Sequence, residues 1–150
     1  MSFSIEYKLE EAGWGIIRLS NEETSYESAV SYLHDSLGDL AHMAVQIRKG
    51  ESKLESIFMD EPGELQLRLD INNNLARYEG RSYSDWASWG MASEENYELV
   101  ISGICTKDVI VEQIAAILTK LYESLGPDEY KEKCPEHEFP IDHYRELTHA

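Results

Sequence analysis

Cys134 and His137 stand in a C-x-x-H spacing, with His143 six residues further on and Cys105 elsewhere in the chain as a further thiol. Zinc takes thiolate and imidazole ligands, four of them in a tetrahedron. The close-spaced ligand pairs that structural zinc sites carry on both sides are missing here. A solvated tail with incidental histidines is the plainer reading, and no metal is expected. Carboxylates cluster at Glu10-Glu11, Glu22-Glu23, Asp60-Glu61-Glu64 and Glu94-Glu95. Glycoside hydrolysis needs two carboxylates facing each other across a cleft, one of them held protonated. Asp60, Glu61 and Glu64 instead surround a tight turn, from which side chains splay into water. Their spacing does not follow an EF-hand loop either.

Nucleophiles fare no better. There is no G-x-S-x-G, and neither cysteine has a local catalytic signature. Cys105 ends an apolar strand and reads as a small buried hydrophobe. His34 and His42 lie on or beside a helix, with no nucleophile identifiable for either. A pocket between sheet and helices would gather His34, Asp35, Asp39 and His42 on one side and Arg77, Arg81 or Asp85 on the other. A hydrolase or a small-molecule-binding protein needs such a pocket enclosed, with a perturbed carboxylate or imidazole in it. The phosphate cradles G-x-G-x-x-G and the P-loop are absent, so no cofactor is expected.

The segment from Tyr78 to Met91 is of another kind. Two Trp, two Tyr, a Met and Arg81 fall in a stretch with neither helical nor strand periodicity. Trp, Tyr and Arg dominate interface hot spots because each buries a large area at small entropic cost. Tyr78, Arg81, Tyr83, Asp85, Trp86 and Trp89 are therefore the expected partner-binding residues. The competing reading has Trp86 and Trp89 covering an open end of the core.

The elements that must position these groups follow from periodicity. Phe3, Ile5, Tyr7 and Leu9 alternate with Ser4, Glu6 and Lys8, a half-buried strand that returns through residues 10–13 into a second strand from Trp14 to Leu19. Val30, Leu33, Leu37, Leu40, Ala44 and Ile47 follow helical spacing, closed by Gly50. The helix start lies between Thr24 and Ser36, because both Thr24-Ser25-Tyr26-Glu27 and Ser36-Leu37-Gly38-Asp39 read as capping boxes. Tyr26, Ser28, Val30 and Tyr32 also fit a strand, and Gly38 favours the later start.

Two strands then flank Glu61-Pro62-Gly63-Glu64, which reads as a type II turn. In the second, Leu65, Leu67, Leu69 and Ile71 are backed by Gln66, Arg68 and Asp70 facing solvent. Leu75 to Glu79 and Tyr97 to Cys105 read as further strands, the last with Leu99, Ile101 and Gly103 on one side. A helix capped by Thr106 carries Ile110, Ile114, Ile117, Leu121 and Leu125, and Gly126-Pro127 ends it. Residues 128–150 read as a polar tail, with Phe139, Ile141, Tyr144 and Leu147 available to pin it. The expected class is α+β: an antiparallel sheet of about five to six strands with two amphipathic helices on one face, in the order β-β-α-β-β-β-β-α.

Bulk composition bounds the rest. Acidic residues number 29 against 13 basic, a formal net charge of -16 on 150 residues. Such an excess repels nucleic acid and anionic membrane surfaces and steers basic partners inward, although it serves solubility as well. No apolar run reaches membrane-spanning length. The N-terminal stretch lacks the basic and apolar regions of a secretory signal, and two cysteines make no disulfide framework. The expectation is one cytoplasmic domain over 1–150.

In size, charge and organisation the chain resembles bacterial immunity proteins, which bind and block a cognate toxin such as a nuclease. The stretches Ser31-Tyr32-Leu33-His34-Asp35-Ser36-Leu37-Gly38-Asp39-Leu40 and Asp60-Glu61-Pro62-Gly63-Glu64 also resemble uncharacterised small bacterial proteins. The resemblance implies a non-catalytic inhibitor that neutralises a basic protein partner, and it carries over no functional residue. Acidic charge would speed the encounter and the aromatic segment would supply short-range energy. A homo-oligomer whose tail or aromatic loop packs on its twin is the third reading.

Overall fold

The computed structural model describes residues 2–148. It is α+β, in the order β1 (Phe3–Leu9), β2 (Gly15–Asn21), β3 (Ser25–Val30), α1 (Ser36–Arg48), β4 (Lys53–Met59), β5 (Glu64–Asn72), β6 (Leu75–Tyr83), β7 (Glu98–Thr106), α2 (Lys107–Ser124), α3 (Gly126–Lys133) and α4 (Ile141–Thr148). The seven strands form two antiparallel sheets, β1-β2-β3 and β4-β5-β6-β7, where one sheet was expected. Hairpin neighbours pair first because their connections are short. The whole of α1 separates β3 from β4, and the backbone bond from Ser31 N to Met59 O joins the chain segments on either side.

Alternation and helical stripes act as the sequence predicts. Phe3 and Ile5 are buried while Glu6 and Lys8 are exposed. Leu37, Leu40, Ala44 and Ile47 of α1 meet Ile110, Ile114, Leu118 and Leu121 of α2 in a core that spans both sheets. Phe3 stacks on Tyr78 within it, ring centroids 3.9 Å apart. The later helix start is the observed one. Asp35 is its cap, its Oδ1 accepting from Gly38 N at 3.0 Å, and residues 25–30 form β3 instead of helix.

Five expectations need correcting. The turn at residues 61–64 is not type II: Glu61–Pro62 is cis and Gly63 has no positive φ. Glycine is needed there because a Cβ would lie 2.5 Å from the Tyr83 carbonyl oxygen. The outer side of β5 is not wholly solvated, since Glu64 and Gln66 are 2% and 1% exposed. The first part of the aromatic segment is strand, because β6 runs to Tyr83.

Leu99 and Ile101 face opposite ways. A bulge puts Val100 between the pairs Gly80↔Ile101 and Arg81↔Leu99, which resets the alternation and leaves Ile101 buried and Leu99 exposed. Residues 128–148 are not a solvated tail, since α3 and α4 bury Tyr130, Cys134, Phe139 and Leu147. Gly126, at φ +74°, ends α2 as expected, and the chain turns there into α3. His149 and Ala150 of that expected tail lie outside the described residues. No helix among the described residues is long and apolar enough to cross a membrane.

Candidate functional site

The four-stranded sheet turns Leu65, Leu67, Leu69, Ala76 and Tyr78 toward the core. Successive side chains alternate across a strand, so Glu64, Gln66, Arg68, Arg77, Glu79, Arg81 and Tyr83 line its outer face. One end of that face is closed by the segment between β6 and β7, residues 84–97. Ile57, Met59, Tyr83 and Ala87 are buried there, apart from the main core, as a satellite cluster under a long loop.

Hydrogen bonds pin this loop. Glu64 Oε1 accepts from Ser88 N at 3.2 Å and from Ser88 Oγ at 2.6 Å, and Glu64 Oε2 accepts from Gln66 Nε2 at 2.6 Å. Trp86 Nε1 donates to the Asp60 carbonyl at 3.1 Å, and Tyr83 Oη donates to the Glu94 carbonyl at 2.7 Å. Arg81 lies over the Tyr97 ring, 4.3 Å from its centroid, and also bonds Glu79. Trp86 meets Trp89 edge to face, 4.9 Å between centroids.

What the loop leaves outside is apolar. Trp89 is 52% exposed, Met91 61%, Leu99 49% and Tyr97 36%, although free apolar area of this size usually folds inward. Asp60, Glu61, Asp85, Glu94, Glu95 and Glu98 share this end of the molecule, and residues 60–64 and 84–98 contain no Lys or Arg. Glu61, Pro62, Asp85, Trp86 and Met91 line a shallow depression here.

The residues singled out by composition divide accordingly. Tyr78 and Tyr83 are each 2% exposed, so both rings pack inside the protein, withdrawn from any partner. Arg81 is half-buried in its Glu79 and Tyr97 contacts. Asp85 bonds the Trp86 amide and Trp86 is half-buried, which leaves Trp89 as the exposed ring. Met91, Tyr97, Leu99 and the carboxylates at Asp60 and Glu61 complete the surface. Tyr97 and Leu99 fall beyond the aromatic run, Met91 ends it without being a hot-spot residue type, and the acids fit turn chemistry, so none of them stands out in the sequence. The tight turn predicts Glu64 splayed into water, yet it is the loop's buried anchor.

The pocket expected between sheet and helices is not assembled from its candidate residues. His34 Nε2 and Asp39 Oδ2 are 2.7 Å apart, and the same Asp39 oxygen accepts from Ile57 N at 3.1 Å. Ser36 Oγ donates to the Ile57 carbonyl at 2.7 Å, so the start of α1 closes the free edge of β4. Asp35 caps the helix, and exposed His42 has its ring 5.6 Å from that of His143. Arg77 and Arg81 lie on the sheet face turned away from the helices, and Asp85 belongs to the loop. The Asp39 hydrogen bond holds the His34 imidazolium above its ordinary pKa despite partial burial.

Cys134, His137 and His143 are likewise dispersed. Cys134 is buried in the core, His137 Nε2 bonds the Tyr32 carbonyl at 2.7 Å, and His143 packs on α4 against α1. Among the described residues no three His, Cys, Asp or Glu side chains converge as a metal would require. Burial pushes both thiols up, Cys105 to about 11, so neither is a ready nucleophile at neutral pH.

No protein-family model matches this chain, and no curated protein matches it either. A solved chain from a structure described as "CdiA-CT/CdiI toxin and immunity complex from Enterobacter cloacae" superposes with a TM-score of 0.49 at 7% identity, covering 79% of this chain and 99% of that one. A likeness of that size carries no argument about function.

Proposed function

We propose that this protein binds a basic protein partner without catalysing a reaction, and that it acts as an immunity-type inhibitor of that partner. One observation carries the reading. Trp89 and Met91 stand exposed on a loop held from beneath by buried Glu64; residues 60–64 and 84–98 carry carboxylates and no Lys or Arg, and the nearby Arg68 and Arg81 are engaged by Glu55 and Glu79. A pinned loop presents aromatic area without the entropy cost of ordering it on binding. The acidic surroundings speed encounter with a cationic surface and disfavour acidic proteins. The -16 net charge acts in the same direction at longer range.

The test compares two baits in lysate of the source organism at low salt: the native chain, and Trp89→Ala combined with Met91→Ala. Both substituted side chains are more than half exposed, so the stability loss should be limited to the Trp86–Trp89 contact, about 0.5–1.5 kcal/mol, and the domain should stay folded. Central anchors cost about 2 kcal/mol or more each, so the double variant should bind about a thousandfold more weakly if the two add, and about 30-fold if only one is an anchor. The reading predicts stoichiometric capture of one basic protein by the native chain, released by salt, and its loss with the variant. Equal capture by both baits, or none by the native chain, overturns it.

A further inference from the structure

β1 is an edge strand, and α2 runs beside its free edge. The Ile5 amide donates to Gln113 Oε1 at 3.3 Å, so a helix side chain stands where a neighbouring strand's carbonyl would be. In an extended strand, main-chain groups of alternate residues point to the same edge. The Ile5 bond therefore turns the N–H and C=O groups of Ile5, Tyr7 and Leu9 toward α2, leaving those of Glu6 and Lys8 for β2.

Beyond Gln113 this edge opens into a groove of about 750 Å³. One wall is residues 5–9, and the other is a stripe of α2 that includes Ile117 and Leu121. The groove's charge runs against that of the whole protein. Lys8, Arg18, Lys120 and Lys133 line it against Glu6 and Glu27, in a chain with 29 acidic and 13 basic residues. Arg18 is paired with Glu27 at 3.3 Å, and among the described residues the three lysines make no ion pair.

We propose that this groove takes an extended, acid-rich segment of a partner protein, added as a fourth strand beside β1. The Tyr7 and Leu9 main-chain groups bond the segment's backbone, as in other strand-addition complexes. Its alternate side chains then fall to the side of α2 that exposes Ala116 and Lys120, over buried Ile117 and Leu121, and to the Lys8 side. Elsewhere the acidic surface repels such a segment, so charge selects the location. The aromatic loop takes no part in this site, and the two stand or fall separately.

The probe is a labelled heptapeptide alternating valine with glutamate, set against the same peptide with lysine for glutamate, read at low salt by anisotropy and amide NMR. The glutamate peptide should bind with its largest shifts at Tyr7, Leu9 and Gln113. Lys8→Glu with Lys120→Glu should weaken it by about tenfold or more. Ala116→Trp should fill the groove and abolish binding while circular dichroism stays native. The lysine peptide should leave the groove unchanged. No binding of the glutamate peptide, shifts outside the β1–α2 groove, or unchanged affinity in the variants each overturn the proposal.

Discussion

Ser88 offers both its backbone amide and its hydroxyl to the carboxylate of Glu64, a side chain on a different element and 2% exposed. This pair fixes the loop that presents Trp89. Replacing Glu64 by Ala leaves the Ser88 amide and Gln66 without an acceptor, and bonds to a charged group contribute about 1.5–3 kcal/mol each. Glu64→Ala should therefore lower stability in urea by about 2 kcal/mol or more and red-shift the tryptophan emission as Trp86 meets water. An unchanged midpoint and spectrum would show that the satellite apolar cluster holds the loop unaided.

Gly38 sits in the first turn of α1, where alanine ordinarily gains about 1 kcal/mol over glycine. Here a Cβ would run into the Asp35 carboxylate that caps the helix. Gly38→Ala should instead destabilise by about 1 kcal/mol, the worth of a displaced cap. In an Asp35→Ala background the same change should turn neutral or stabilising. Additivity of the two substitutions in thermal melts would contradict the steric account.

His34 gives the stability a pH dependence of known sign. Its folded pKa lies above the ordinary 6.5, chiefly through the Asp39 hydrogen bond, with desolvation opposing. A raised folded pKa means a contribution fully present below 6.5 and lost as pH rises through the folded value. Melting temperature should thus fall across that interval in the native protein, and the fall should shrink in His34→Gln. Parallel curves for the two proteins would assign the slope to other groups.

Local patterns in the sequence were reliable wherever one residue type repeats at the period of its own element. The alternation from Phe3 to Leu9, the α1 stripe from Leu37 to Ile47 and the α2 stripe from Ile110 to Leu121 each dictate the buried face. The α+β class and the excess of carboxylates follow from the chain alone. Both were readable because they depend on neighbours one turn or two residues away.

The candidate site was legible in part. The density of Trp86 and Trp89 marks them in the sequence, and of the two Trp89 is the exposed ring. Tyr78 and Tyr83 were grouped with them, yet their rings lie inside, because β6 continues through Gly80, where no side chain marks the alternation. A period-two count places Leu99 on the core side because the bulge at Val100 is invisible to it.

Charge density, element periods and the aromatic run were determined by the sequence itself, since each is a property of adjacent residues. Division into two sheets, burial of Glu64, docking of α3 and α4, and the open edge of β1 were decided by tertiary structure. A carboxylate like Glu64 is exposed or buried according to what a segment some twenty residues away lays over it, here Ser88. Such coverage is a long-range pairing whose free energy no local pattern encodes.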